Sequence, residues 1–202
     1  MCIRDRLNEE SVPKDAAAII INAPQKDFNK NDAQKVIDYL QKGGKAIIVG
    51  MYSETEMPNF ASILDTYGVS LTTGPIADND ARHYYNMGGP LYLLPNVNSS
   101  SYTGSLSGGY VYLPISLGIN YPQNSTTDDT ESTEESKTTY TSLLDTSDDA
   151  VAKNNPNSMQ DYGYEDGDNK GPFSVGLAVE DKVDDDHTTV SYTHLRAHET
   201  DQ

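Results

Sequence analysis

Cysteine is nearly absent. The single one is Cys2, in a terminal segment set aside below, and the roughly 183 residues from Leu7 to Thr189 contain none. This excludes a disulfide framework, a thiolate metal site and a thiol nucleophile. Tryptophan is missing, and phenylalanine occurs three times against fourteen tyrosines. Aromatic content that is mostly tyrosine suits positions with one apolar and one wet side. Cations are also scarce: 14 Lys and Arg stand against 31 Asp and Glu, a net charge of −17. That balance argues against a nucleic-acid surface or an anionic membrane surface as partner.

Phosphate-cradling glycines are missing too. The turn after the first apolar run is Pro24–Phe28 (PQKDF), without glycine, and neither G-x-G-x-x-G nor a Walker A pattern occurs anywhere. A nucleotide would find no loop to hold its phosphates. The nearest approach to the G-x-S-x-G elbow is Gly104–Gly108 (GSLSG), whose central residue is Leu106, in a stretch of loop composition. Two acidic runs carry oxygen ligands, Asp166-Gly167-Asp168-Asn169 and Asp184–His187 (DDDH). Read from Asp166, the twelfth position of a calcium loop is Leu177 where a bidentate glutamate is required. Both runs are therefore expected to be solvated loop charge, and His83, beside Tyr84 and Tyr85, a surface or packing residue. No metal, cofactor or catalytic residue is expected.

The two ends do not read as natural protein. Met1–Arg6 (MCIRDR) back-translates to ATG TGT ATA AGA GAC AG, which resembles the mosaic end of a transposase-based sequencing adapter. Val190–Thr200 (VSYTHLRAHET) back-translates to the reverse complement of that end running on into the adapter, with Asp201 and Gln202 as index bases. Residues 1–6 and 190–202 are therefore set aside, as expression scars would be. Removing them takes three basic residues (Arg4, Arg6, Arg196) and three acidic ones (Asp5, Glu199, Asp201), so the charge is unchanged. The remainder, 7–189, suits one domain, expected to be a fragment of a longer reading frame.

Its organising stretch is Ala16–Gly50. Ala16–Ala23 (AAAIIINA) is an Ile-rich run stopped by Pro24, expected as a strand buried on both faces. Asn29–Gln41 has helical periodicity: Ala33, Val36, Ile37 and Leu40 share one face. Asn29 or Asn31 is placed to cap it, Asp32 lies in its first turn, and Gly43-Gly44 ends it. Lys45–Gly50 (KAIIVG) is the second buried strand, completing a βαβ unit. Pro58–Tyr67 reads as a helix with Phe60, Ile63, Leu64 and Tyr67 on its apolar face and Gly68 as its stop. Val69–Thr73 reads as a strand leading through Gly74–Ile76 into a polar turn, Asp78-Asn79-Asp80. Further strands are expected at Leu91–Leu94, Tyr110–Leu113, Ile115–Ile119, Tyr140–Leu144 and Gly171–Glu180, with Asn96–Gly109 as a loop between the first two. Residues 123–139 (QNSTTDDTESTEESKTT) have no apolar side chain and are expected as a disordered acidic insert. Residues 154–170 form a second polar loop and Lys182–Thr189 a charged one. The fold class these elements imply is α/β: a Rossmann-like or flavodoxin-like three-layer domain with a mostly parallel sheet, truncated at its C-terminus.

Several pieces, in order, resemble the GldG-like family of ABC transporter auxiliary proteins, which carry a domain related to the one in GldG and in an intraflagellar transport protein. They are Val12-Pro13 with Asp15, Ala23-Pro24, Tyr39-Leu40 with Gly43-Gly44-Lys45, Leu64 with Tyr67-Gly68-Val69, Thr141–Leu144 with Thr146-Ser147, and Gly171-Pro172-Phe173. The resemblance spans most of Leu7–Glu180. It implies a non-enzymatic, extracytoplasmic domain on a membrane-anchored subunit that works with an ABC permease and ATPase, and with exported cargo. It implies no catalytic residue. The acidic insert departs from the family, and a terminal strand and membrane anchor are expected beyond the fragment. The alternative is a soluble ligand-binding or hydrolase-like domain of the same fold outside transport.

Two places are expected to bind. One is the rim at the C-terminal ends of the first strands, Pro24–Phe28 and Met51–Met57, where open α/β sheets place ligands. The other is the tyrosine-rich middle: Tyr84, Tyr85, Tyr92, Tyr102, Tyr110 and Tyr112. Exposed tyrosines favour protein or glycan contacts, or else cover a sheet edge.

Overall fold

A computed structural model describes residues 11–106, 109–123, 138–154, 162–184 and 187–193. The first unit forms as its local signals require. β1 (Ile19–Asn22) runs parallel to β2 (Ala46–Val49), and α1 (Lys30–Gln41) connects them. Asn29 caps α1 by accepting the Asp32 N–H at 2.9 Å, and its amide returns a bond to the Asp32 carboxylate at 2.6 Å. At the other end Gly43 takes φ 86°, a left-handed conformation that glycine adopts without steric cost, and its N–H reaches the Leu40 carbonyl at 3.0 Å.

The second helix, α2 (Pro58–Asp65), has no side-chain cap of its own, because Met57 stands at that position. Asp27 supplies one from the loop after β1. One carboxylate oxygen accepts the Phe60 and Phe28 N–H groups, each at 2.9 Å; the other accepts the Asn59 N–H at 3.1 Å and side-chain amide at 2.8 Å. Burial raises the Asp27 pKa, but these N–H donors outweigh it and hold the carboxyl below its ordinary value. A group depressed on folding contributes stability above its unfolded pKa and loses it as pH falls through the folded one. Asp27→Ala should therefore cost about 1–2 kcal/mol near neutral pH, the usual worth of a cap. Urea denaturation of parent and variant should show that difference shrinking in acid; a pH-independent difference would argue against a carboxylate role.

The rest departs from the expected class. β3 (Ser70–Asp78), β7 (Leu117–Asn120), β8 (Thr138–Asp145), β9 (Ala150–Ala152) and β11 (Ser174–Asp184) pair antiparallel, as do the short β5 (Asn96–Val97) and β10 (Asn169–Lys170). β12 (His187–Thr193) lies between β2 and β11, parallel to the former and antiparallel to the latter. Together they make a ten-stranded sheet in which only β1–β2 and β2–β12 are parallel. A second sheet pairs β4 (Tyr92–Leu93) with β6 (Leu113–Pro114). The expectation of a mostly parallel, Rossmann-like or flavodoxin-like three-layer fold is thus overturned. Parallel strands need a long crossover, usually helical, and among the described residues only α1 and α2 are α-helices.

Several element bounds shift accordingly. The strand expected at Val69–Thr73 is β3, which runs through Gly74–Ile76 and on to Asp78, the first residue of the expected polar turn. Tyr110 and Val111 precede β6 rather than forming it, and Asn96–Gly109 contains β5 and a 3-10 turn at Gly104–Leu106. The polar stretch Lys182–Thr189 belongs partly to β11 and β12. Most of the acidic insert, 124–137, and residues 155–161 of the second polar loop lie outside the described residues.

Two apolar cores share β11. Leu177 and Val179 join the first, with Ile19, Ile21, Ala46 and Ile48 under α1 and α2. Val175 and Ala178 join the second, with Ile76, Leu93, Leu113 and Leu144. The β1–β2 corner is covered on one face only. Ile19 and Ile21 are buried, but Ile20 is 36% exposed and its neighbour Ile47 is half-buried, so the expected two-sided burial of these strands does not occur.

Candidate functional site

The uncovered face continues to the predicted rim. Asn22 and Val49, in register at the ends of β1 and β2, point the same way as Ile20 and Ile47 because strand side chains alternate. There they meet the segment after β6, enclosing a cavity of about 190 Å³ lined by Asn22, Ala23, Gly50, Met51, Ile115 and Ser116. Met51 and Ile115 are each 37% exposed. Ala23 (φ 46°) and Ile115 (φ 51°) both hold left-handed backbone there. Such a conformation in a non-glycine residue costs about 1–3 kcal/mol, and for a β-branched one it is a genuine outlier. The lining is mainly apolar, with amide and hydroxyl groups at the edge. Its composition can hold an apolar side chain, and none of the lining side chains is titratable. Of the two predicted loops, Met51 alone lines this cavity; Asn22 and Ala23 precede Pro24, and Asp27 is occupied in capping α2.

The tyrosine-rich middle is only partly brought together. Tyr112 packs edge-on to Tyr85 and stacks with Tyr92, both at 6.0 Å between ring centres. Burial raises the Tyr112 pKa, helped by the neighbouring Tyr92 and Tyr85 hydroxyls. Tyr110 is 90% exposed, while Tyr102 is half-buried against the second core. His83 is tucked behind Asp80, its Nε2 3.9 Å from the carboxylate. Asp80 is held at about 2 by the Arg82 guanidinium.

Neither acidic run gathers a metal site among the described residues. Asp168 instead binds Lys153, whose side chain is 1% exposed. The ammonium donates to Asp168 at 2.6 Å, Glu165 at 3.0 Å and the Gly163 carbonyl at 2.8 Å. The two central residues of the Asp184–His187 run lie outside the described residues.

A second cavity, of about 380 Å³, opens where β7 and β8 flank the start of β11. Two of its lining groups, Asp145 and Ser174, belong to a bonded chain: Asn98 Nδ2 donates to Asp145 at 2.6 Å, Ser142 Oγ to the other Asp145 oxygen at 2.5 Å, and Ser142 and Ser174 hydroxyls meet at 2.8 Å. Ser142 and Asp145 share β8, but Asn98 and Ser174 come from other segments, so no local spacing marked the set.

No family model and no curated protein matches the chain. Among solved structures, the mmIFT52 N-terminal domain is similar, with a TM-score of 0.55 at 12% identity over 87% of this chain. The match covers 64% of that domain, so the chain spans under two thirds of its length. At that identity the likeness is one of fold, shared with the N-terminal domain of an intraflagellar transport protein.

Proposed function

We propose that this is a non-enzymatic interaction domain, the extracytoplasmic part of a membrane-anchored, GldG-like ABC transporter accessory subunit that docks on its permease. The observation that carries the reading is the partly exposed apolar face formed by Ile20, with half-buried Ile47 and Val49, and continued by Met51 and Ile115. A monomer normally buries or interrupts such a surface, and a contiguous one rimmed by polar groups marks a contact. The ordered sequence resemblance and the fold likeness to an intraflagellar transport protein domain support the same family of interaction modules. The face fits an apolar segment of the permease flanked by Lys or Arg, since Glu54 and Glu56 are exposed just beyond Met51 and the chain carries −17. No helix among the described residues is long and apolar enough to cross a membrane, so the anchor in this reading lies outside them.

Resequencing the source locus through both ends tests the first half. An in-frame apolar span of about 20 residues beside ATPase and permease genes is expected; a frame closing without either would end the transporter reading. With those partners in hand, Ile20→Asp should weaken co-purification with the permease at least about tenfold, as a central contact does. It should cost the free domain only about 1 kcal/mol, the span of strand preferences at an exposed site. Undiminished binding would remove the face from the reading.

A further inference from the structure

We propose that the larger cavity, between β7, β8 and β11, is a binding site for a neutral polyhydroxylated ligand, a mono- or disaccharide unit. It differs in chemistry from the docking face and stands independently of it. Its volume of about 380 Å³ lies within the range of small-molecule pockets. Six residues carry the argument: Asn120, Tyr121, Gln123, Asp145, Phe173 and Ser174.

The polar lining matches hydroxyl groups and little else. None of the lining residues is Lys, Arg or His, so a phosphate or carboxylate ligand would have no counter-charge. Sugar hydroxyls both donate and accept, and the lining offers both. Asn120 and Gln123 carry amides with donors and acceptors, and Asp145 carries acceptors only. Each Asp145 oxygen already takes one bond, from Ser142 or Asn98. Those bonds fix the carboxylate's orientation and leave lone pairs on both oxygens for adjacent ligand hydroxyls. Ser142 has given its proton to Asp145, so Ser174 directs its own proton to Ser142 or to the Gly176 carbonyl. The Ser174 lone pairs remain to accept.

The apolar part suits the C–H faces of a sugar ring. Phe173 and Tyr121 present aromatic surface. Tyr121 is backed by Tyr140 at 5.8 Å between ring centres, and the Tyr140 hydroxyl is tied to the Tyr67 carbonyl at 2.8 Å. Ser174 is in register with Ile119 on one side and Asp145 on the other, so the floor belongs to three paired strands. A site carried on strands holds its geometry more tightly than one carried on loops.

The test is a titration of the isotope-labelled full chain, read by backbone amide shifts, with maltose, cellobiose and chitobiose. Inorganic phosphate and methylammonium are titrated in parallel. At least one disaccharide should give saturable shifts centred on Asn120, Tyr121 and Ser174, with neither ion doing so. The double variant Asn120→Ala with Gln123→Ala, both exposed positions, should raise the dissociation constant about tenfold or more while leaving the melting temperature unchanged. No saturable shift from any of the three sugars, shifts centred elsewhere, or binding of methylammonium alone would overturn the proposal.

Discussion

Lys153→Ala should lower stability by about 3–5 kcal/mol, the cost of leaving a buried charge without its partner. In a domain of this size that is a fall of about 6–20 °C in melting temperature. The side chain is 1% exposed and Asp168 4%. Without the ammonium, Asp168 would keep only the N–H groups of Asn154 and Glu165, at 2.9 and 3.0 Å. Burial alone would push Lys153 down and Asp168 up. Their mutual bond, with Glu165 on the lysine and the two backbone donors on the aspartate, reverses both directions. The lysine's contribution is complete below its unfolded pKa and is lost as pH rises through the raised folded value. The aspartate's is complete above its unfolded pKa and is lost as pH falls through the depressed one. Stability measured against pH should therefore show a plateau with falls at both ends, and Lys153→Ala should flatten the alkaline fall. Adding Asp168→Asn to Lys153→Met should cost less than the two singly, because the second change removes the charge that the first strands. Strict additivity in that cycle would mean that the two groups do not act as a pair.

Gly74→Ala should be at least as damaging. A Cβ at Gly74 would sit 1.5 Å from the Lys153 carbonyl oxygen, which is backbone and cannot swing aside. Relief requires moving β3 away from β9, where Ile76 pairs with Ala152 and the Lys153 N–H reaches the Pro75 carbonyl at 3.0 Å. We expect a loss of about 3 kcal/mol or more, at or above the usual cost of overpacking. Gly104→Ala is the control: it meets nothing within 4 Å and should stay within about 0.5 kcal/mol of the parent. Chemical denaturation of the two variants side by side decides the matter, and equal midpoints would show that β3 and β9 can separate without cost.

The legible parts of this fold are those written locally. α1 follows from a four-residue apolar stripe with Asn29 before it and glycine after it, and the parallel pairing of β1 with β2 follows from α1. The strand expected at Val69–Thr73, in contrast, runs on through Gly74-Pro75 to Asp78. In the structure β3 shifts register between Leu71 and Pro75, and Thr72 spans the irregularity, donating to the Gly74 carbonyl and accepting the Gly118 N–H, both at 2.9 Å. Nothing within a few residues of Thr72 announces Gly118. β9 is three residues long, below any periodicity. Asp27 finds Asn59 across 32 positions. The position of the smaller cavity, at the ends of β1 and β2, follows from strand direction, although which loop residues line it does not. The larger cavity was invisible for the opposite reason: Asn98 and Ser174 reach the Ser142–Asp145 stretch of β8 only through antiparallel pairing that the α/β expectation did not contain.

β12 carries one last consequence. Its residues Ser191–Thr193 pair with Ala46–Ile48 of β2, and Val190–Thr193 belong to the stretch that back-translates to adapter. A ladder of amide and carbonyl groups does not inspect the side chains of the stave it accepts. The backbone groups that bound that place belong to β2 and the Leu177–Glu180 part of β11. A chain trimmed before residue 187 would present both strands to its own copies, an invitation to intermolecular pairing. For handling the protein, what is left on after Asp184 therefore matters more than its abundant negative charge.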